Sequence, residues 1–174
     1  VTALLPFIFG IPLGVIDKAG LASSYGNTTI YLFLGGFILA LALEKHDVHK
    51  QIAKLIISIV GNSKARLLLG FILSTSFLSM WISNTATALM MLPMALAITS
   101  SMPKRKGKSK FTLFLLLSIA YSASVGGMAT IVGSPPNGSM QSILAQNYDI
   151  HITFAQWMKI GIPLSFALQF ILFG

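Results

Sequence analysis

A polar tripeptide, Ser83-Asn84-Thr85, stands between two apolar runs, Leu67 to Ile82 before it and Ala86 to Ile98 after it. Basic residues bound the pair on both sides, Lys64 and Arg66 in front and Lys104 to Lys110 behind. Loops dense in Lys and Arg tend to stay on the cytoplasmic side of a membrane, so the chain between two such loops must enter the bilayer and come back. Each leg then has about 16 residues, or roughly 25 Å of helix. Legs that short read as a tilted re-entrant hairpin rather than as two full spans. Its polar tip would lie at membrane depth, where irregular backbone is tolerated only if it is buried in protein or lines a cavity, and where transporters hold their solutes.

Composition agrees with a membrane setting. The chain is 55% hydrophobic and 9% charged, with a mean hydropathy of +0.81, against about a quarter charged residues in a soluble domain. The fold class expected is all-α integral membrane: transmembrane helices, an interfacial amphipathic helix, one re-entrant helical hairpin and one broken helix. The net charge of +8 comes mainly from three short clusters between apolar runs, Lys45 to Lys54, Lys64 to Arg66 and Lys104 to Lys110. That is the positive-inside pattern, with attraction to anionic headgroups, and no aromatic-interleaved basic patch suggests nucleic acid. The absence of cysteine excludes disulfides and thiolate metal sites. Val1 and Gly174 both lie in apolar runs, so the chain reads as an internal piece of a longer protein.

Along the chain, Val1 to Ile16 carries Pro6, Gly10, Pro12 and Gly14 and reads as the end of a span or an irregular one. Asp17 to Asn27 reads as a short external loop, and Thr28 to Leu43 as a clean apolar helix ending at cytoplasmic Glu44-Lys45-His46-Asp47. In Val48 to Val60 the apolar residues Val48, Ile52, Leu55, Ile56 and Ile59 recur at helical spacing, while His49, Lys50, Gln51 and Lys54 fill much of the other face. This predicts an amphipathic helix lying in the interface plane, stopped by Gly61-Asn62. Phe111 to Val132 is a long apolar helix that breaks at Gly133-Ser134-Pro135-Pro136-Asn137, because two prolines cannot continue a helix without lost hydrogen bonds and a clash. Gly138 to Gln146 resumes it, and Tyr148 to His151 turns outside. Thr153 to Phe173 then returns, anchored by Trp157 and bent at Pro163.

The tip and the break each create a helix C-terminus and a helix N-terminus at depth. Exposed carbonyls attract cations and exposed N–H groups attract anions, so such a chain can hold both side by side. Ser83, Thr85 and Asn137 are good capping residues. No Asp, Glu, Lys, Arg or His lies between Leu67 and Met102 or between Phe111 and Tyr148. A cation site here is therefore neutral oxygen only, which suits Na⁺, does not suit Zn²⁺, and argues against a carboxylate proton relay. Ser79 and Ser83 present their hydroxyls on one helical face. Ser118, Ser122 and Thr130 taken singly read as packing or back-bonding hydroxyls, Gly126-Gly127 as close helix packing, and Trp81, Met90, Met91 and Met94 as packing. No nucleophile–base pair or metal-ligand cluster lies at depth, so an enzyme is not expected.

Three stretches carry a family resemblance. Trp-Ile-Ser-Asn-Thr-Ala-Thr-Ala around Ser83 to Thr85, Gly-Met-Ala-Thr-Ile-Val-Gly-Ser-Pro-Pro-Asn over Gly127 to Asn137, and Leu32 to Lys45 together resemble the divalent-anion/sodium symporters. The resemblance implies two inverted repeats, each with its own hairpin, working as a homodimer by an elevator movement and carrying succinate, malate, fumarate or citrate with Na⁺ across a bacterial inner membrane. By motif position it implies a Na⁺ site at Ser79, Ser83, Asn84 and Gly133, and substrate contacts from Asn84, Thr85, Ser134 and Pro135. Residues 1–60 would be scaffold helices and the interfacial arm. Residues 61–174 would be the first half of the transport domain, with the hairpin at 65–99, the broken helix at 111–147 and the final helix at 153–174. One motif of each kind is present where the family has two, so a C-terminal repeat is an implied partner and the chain alone would not transport. The rival readings are a related arsenite or proton-coupled antiporter, a passive anion channel, and a non-transporting membrane fragment. Saturable Na⁺-dependent uptake and ligand-dependent stabilisation separate them.

Overall fold

The computed structural model describes residues 2–60, 63–100 and 110–173, and every regular element among them is helical. The Gly61-Asn62 stop and the Lys104 to Lys108 part of the basic loop lie outside the described residues. A 3₁₀ turn at Thr2–Leu4 leads into α1 (Leu5–Phe9), followed by α2 (Lys18–Tyr25), α3 (Thr28–Lys45), α4 (Val48–Val60) and α5 (Lys64–Ser79). Beyond the tip come α6 (Asn84–Ser100), α7 (Lys110–Gly127), α8 (Pro135–Tyr148) and α9 (Phe154–Phe173). Three helical stretches, Lys18–Lys45, Lys110–Gly127 and Phe154–Phe173, are long and apolar enough to cross a membrane, whereas Asn84–Ser100 is apolar but shorter.

Two expectations are corrected. The segment expected as a loop at Asp17 to Asn27 contains α2. Asp17 is its N-cap rather than a loop residue, taking the Gly20 N–H on its carboxylate at 3.0 Å. The break also sits earlier than Gly133. α7 ends at Gly127, residues 128–134 form turns, and Pro135-Pro136 open α8. Proline is well accommodated in a first helical turn, where its missing N–H has no intrahelical acceptor to lose. The prolines therefore start the second half instead of ending the first.

The core is built where α5, α6 and α7 meet. Phe71 and Leu78 from α5, Met91 and Ala95 from α6, and Leu115 and Ile119 from α7 form one buried cluster, with Met94 and Ile52 packed against it. α7 thus lies against both α5 and α6, and α4 rests on α5. α4 keeps Lys50, Lys54, Leu55 and Ile59 exposed while Ile52 turns inward. Close approach of α7 depends on Gly126, where a Cβ would strike the Ser76 backbone.

α9 begins with a reciprocal cap: Gln156 N–H donates to Thr153 Oγ1 at 3.3 Å and Thr153 N–H donates to Gln156 Oε1 at 2.8 Å. Polar bonds then fasten the helix to α7. Gln169 and Ser165 are buried. Ser122 Oγ donates to Gln169 Oε1 at 3.1 Å, Gln169 Nε2 donates to the Ser122 carbonyl at 3.4 Å, and Ser165 Oγ donates to the Val125 carbonyl at 3.0 Å. Ser122 is thus an inter-helix link, while Ser118 does bond back within its own helix, to the Leu115 carbonyl at 2.8 Å.

A Gly126→Ala substitution is expected to cost about 1–3 kcal/mol by overpacking. Thermal unfolding in detergent should reveal it beside exposed Ser124→Ala, which should change stability by less than about 0.5 kcal/mol.

Candidate functional site

At the hairpin tip α5 closes with tightened turns. Met80 N–H reaches the Phe77 carbonyl at 3.3 Å, and Trp81 N–H reaches the Leu78 carbonyl at 3.0 Å. The chain reverses and α6 starts at Asn84, with Ser83 Oγ accepting the Ala86 N–H at 3.4 Å as its N-cap. This reversal carries the Asn84 amide back onto the end of α5 and across to α7.

Four neutral groups converge there. Ser79 Oγ lies 2.8 Å from the inward atom of the Asn84 amide and 2.6 Å from the Ala123 carbonyl oxygen. The same amide position lies 3.1 Å from the Ala123 oxygen and 3.2 Å from the Gly133 oxygen. Ser79 is fully buried. With nitrogen inward, the amide donates to Ser79, Ala123 and Gly133, and the tip is fastened to the break by hydrogen bonds. With oxygen inward, four oxygens face one another with a single hydroxyl proton among them. That second arrangement is unfavourable unless a cation sits in the cluster. It is the ligand set a hard cation takes. No group of three or more His, Cys, Asp or Glu that could hold a metal occurs among the described residues.

Absent side chains make the convergence possible. A Cβ on Gly127 would run into the Asn84 amide, and one on Gly133 would stand 2.6 Å from the Gly127 oxygen and 2.8 Å from the Ser79 oxygen. Around this contact the turn of residues 128–134 is pinned. Thr130 Oγ1 donates to the Met80 carbonyl at 2.5 Å and accepts the Gly133 N–H at 3.0 Å. Asn137 Nδ2 donates to the Gly127 carbonyl at 2.9 Å and the Thr130 carbonyl at 2.7 Å. Trp157 Nε1 donates to the Met128 carbonyl at 3.0 Å, so its indole N–H is directed at the break instead of only anchoring the interface. Asn137 was expected as a cap for N–H groups. It lies in the first turn of α8 with its amide turned to carbonyls, because the end of α7 leaves acceptors there.

The anion half is less complete. Thr85 and Pro135 are exposed and Ser134 is half-buried. Ser134 caps α8 without a side-chain cap bond, leaving that cap role unfilled. Pro135 and Pro136 have no N–H, and the Asn137 N–H is taken by the Ser134 carbonyl at 3.1 Å. α8 therefore presents fewer donors than a helix start ordinarily does. At the start of α6 the Ala86 N–H is taken by Ser83 Oγ and the Thr87 N–H by the Ser83 carbonyl, so the Asn84 and Thr85 N–H groups are the ones helix geometry leaves without an intrahelical acceptor.

The structure thus brings Ser79, Asn84 and Gly133 together. It gives the Ser83 hydroxyl to the α6 cap and leaves Thr85, Ser134 and Pro135 on accessible surface. It adds Ala123 and Thr130, which the sequence did not single out as site residues. A backbone carbonyl such as that of Ala123 leaves no residue signature. Thr130 had a signal in its place between Gly127 and Gly133.

The profile of the citrate transporter family matches residues 1–174. The chain belongs to this family. The sodium-dependent dicarboxylate transporter SdcS of Staphylococcus saprophyticus is 40% identical over 178 residues, which is 98% of the chain and 34% of that protein. SdcS of Staphylococcus aureus strain USA300 is 40% identical over 170 residues, or 93% of the chain and 32% of its own length. The chain therefore spans about a third of these relatives. Membership of the citrate transporter family, together with the apolar helices, makes this an integral membrane protein of a transporter family rather than an enzyme family. It also sustains the resemblance to the divalent-anion/sodium symporters carried by the motifs at Ser83 to Thr85 and Gly127 to Asn137.

Replacing Asn137 by Leu leaves the Gly127 and Thr130 carbonyls without their donor and is expected to cost about 1–3 kcal/mol. Asn137→Asp should be worse, since a carboxylate would face two acceptors. Thermal unfolding in detergent ranks the three proteins, and equal stability of all three would remove the clamp.

Proposed function

We propose that this chain is one repeat of a sodium-coupled C4-dicarboxylate symporter in a bacterial plasma membrane, supplying one Na⁺ site and half of the substrate site. The observation that carries this reading is the convergence of the Ser79 hydroxyl, the Asn84 amide and the Ala123 and Gly133 carbonyls, which becomes an all-oxygen cluster when the amide oxygen turns inward. The names of the relatives, sodium-dependent dicarboxylate transporters, support the coupling ion and the substrate class. The family description makes citrate the second substrate to test.

The chemistry follows from the cluster. Without Na⁺ the amide nitrogen faces inward and its hydrogen bonds hold the tip against the break. Na⁺ exchanges those bonds for coordination by the Asn84 and Ser79 side-chain oxygens and the Ala123 and Gly133 carbonyls. Ser83 lies next to this cluster in sequence, and in this reading it borders the ion site, with its hydroxyl and carbonyl holding the start of α6 through the Ala86 and Thr87 N–H groups. The bound charge then stands beside Asn84, Thr85, Ser134 and Pro135, where a substrate carboxylate is held by N–H groups, by the Ser134 hydroxyl and by the ion. In a medium of low dielectric constant that attraction is far stronger than in water. Ion and anion stabilise each other's sites reciprocally, and this mutual stabilisation is the coupling.

The remaining parts of the reading concern the whole protein. The legs of 16 and 17 residues in α5 and α6 suit a re-entrant hairpin, and the mixed face of α4 suits a helix in the interface plane. Residues 1–60 act as scaffold and arm, and 61–174 as half of a moving transport domain. A second, inverted repeat completes the substrate site, and the protein works as a homodimer by an elevator movement.

The test is thermal stability of the full-length protein in choline chloride, NaCl, and NaCl with succinate or citrate, for wild type and Asn84→Ala. Ligands that bind only the folded state raise its apparent stability. The expected result is a Na⁺-specific rise, a further rise with succinate, and loss of both in the variant. A wild type indifferent to Na⁺ would end the sodium-site reading and leave Ser83-Asn84-Thr85 as a helix cap.

A further inference from the structure

Thr130 sits in the turn between α7 and α8, fully buried. A threonine in an apolar helical segment ordinarily returns its hydroxyl to a carbonyl one turn earlier. This one instead donates to Met80, 50 positions away at the tip of the hairpin, and accepts the N–H of Gly133 three residues on. Its own carbonyl takes the Asn137 amide. One hydroxyl therefore joins the C-terminal end of α5 to the residue whose carbonyl enters the oxygen cluster.

The two residues it joins border the site on opposite sides. Met80 follows Ser79, whose Oγ belongs to the cluster, and Gly133 contributes its carbonyl and precedes Ser134 and Pro135. Gly133 carries no side chain that could fix its peptide from elsewhere, and its position is crowded by the Gly127 and Ser79 oxygens. The hydroxyl bridge thus fixes the Val132–Gly133 peptide, immediately before the Gly133 carbonyl that lies 3.2 Å from the Asn84 amide.

We propose that Thr130 is a positioning residue for cation binding: through Met80 and Gly133 it holds the tip and the break in register, and so sets how tightly the oxygen cluster binds Na⁺. This rests on the sodium-site reading. Removing the hydroxyl loosens the Val132–Gly133 peptide next to that carbonyl and leaves the Met80 carbonyl and the Gly133 N–H without their partner. The methyl group of Thr130 plays no part in the bridge, so serine should serve in its place.

A matched control is available in the hairpin. Thr75 Oγ1 and Thr87 Oγ1 are buried without a hydrogen-bond partner among the described residues. Thr75→Val is therefore the same chemical change at a hydroxyl that bridges nothing, and removing an unsatisfied buried polar group is neutral or stabilising.

The experiment is a Na⁺ titration of thermal stability, with choline balancing ionic strength, on the full-length protein as wild type, Thr130→Val, Thr130→Ser and Thr75→Val. Thr130→Val is expected to need about tenfold more Na⁺ for half-maximal stabilisation, the loss of roughly one hydrogen bond's worth of ion affinity. Thr130→Ser should stay within about twofold of wild type and Thr75→Val should track it. The proposal is overturned if Thr130→Val melts lower in choline yet titrates like wild type, because the bridge is then structural only. It also falls if serine does not rescue. If the valine variant does not fold, Thr130→Cys, with its weak S–H donor, carries the same titration with the same two outcomes. A wild type that ignores Na⁺ overturns the sodium-site reading itself, a failure distinct from a responsive wild type with a normal valine variant.

Discussion

The contact between the end of α7 and the tip of the hairpin is made backbone to backbone. Gly126 lies on the Ser76 backbone, Gly127 lies on the Asn84 amide, and Gly133 fits between the Gly127 and Ser79 oxygens. With no Cβ at these places, the Ser79 hydroxyl of α5, the Asn84 side-chain amide of α6, the Ala123 carbonyl of α7 and the Gly133 carbonyl of the following turn meet at one point. The buried cluster of Phe71, Leu78, Met91, Ala95, Leu115 and Ile119 holds the three helices together below that point. The aliphatic core therefore fixes the approach, and the glycines set how close it can be.

The electrostatic character of the site follows from the same geometry. Ser79, Asn84, Ala123 and Gly133 bring dipoles and no formal charge. A neutral oxygen cage binds a monovalent cation without having to neutralise a buried carboxylate first, and it carries no titrating group of its own. A buried charge would be costly without a partner, whereas carbonyls and amides already hydrogen-bonded within the fold cost little to keep there. The geometry of such a cluster rests on where the oxygens are held, and Thr130, Asn137 and Trp157 hold the turn beside it although none of their side chains lies in the cluster.

Much of the helix order was legible in the sequence, for stated reasons. The alternation of apolar and basic residues in Val48 to Val60 marks an amphipathic helix, and α4 has those bounds. Ser83-Asn84-Thr85 between apolar runs marks an interruption, and the helix is interrupted there between α5 and α6. The misreadings have a common origin in residues that serve both ends of helices. Asp17 reads as loop polarity in the sequence and is the cap of α2, and Pro135-Pro136 read as a terminator and start α8. Ser79, Asn84 and Gly133 were named from a motif and do converge. The Ala123 carbonyl could not be read at all, since any residue has one, and the Thr130 hydroxyl looked like one more back-bonding threonine until its partner proved to be Met80.

The ladder between α7 and α9 bears on how such a molecule can move. Gln169, Ser165 and Trp157 reach the carbonyls of Ser122, Val125 and Met128, spaced three residues apart along one edge of α7 and its end. Sliding α9 by one turn would strand the donors Gln169 Nε2, Ser165 Oγ and Trp157 Nε1, each at a cost of order 1–3 kcal/mol. Slippage along this seam is therefore a poor way to store or release motion. α9 behaves as a strut: a displacement of the break is handed to the far end of Phe154–Phe173, about 30 Å away at 1.5 Å per residue.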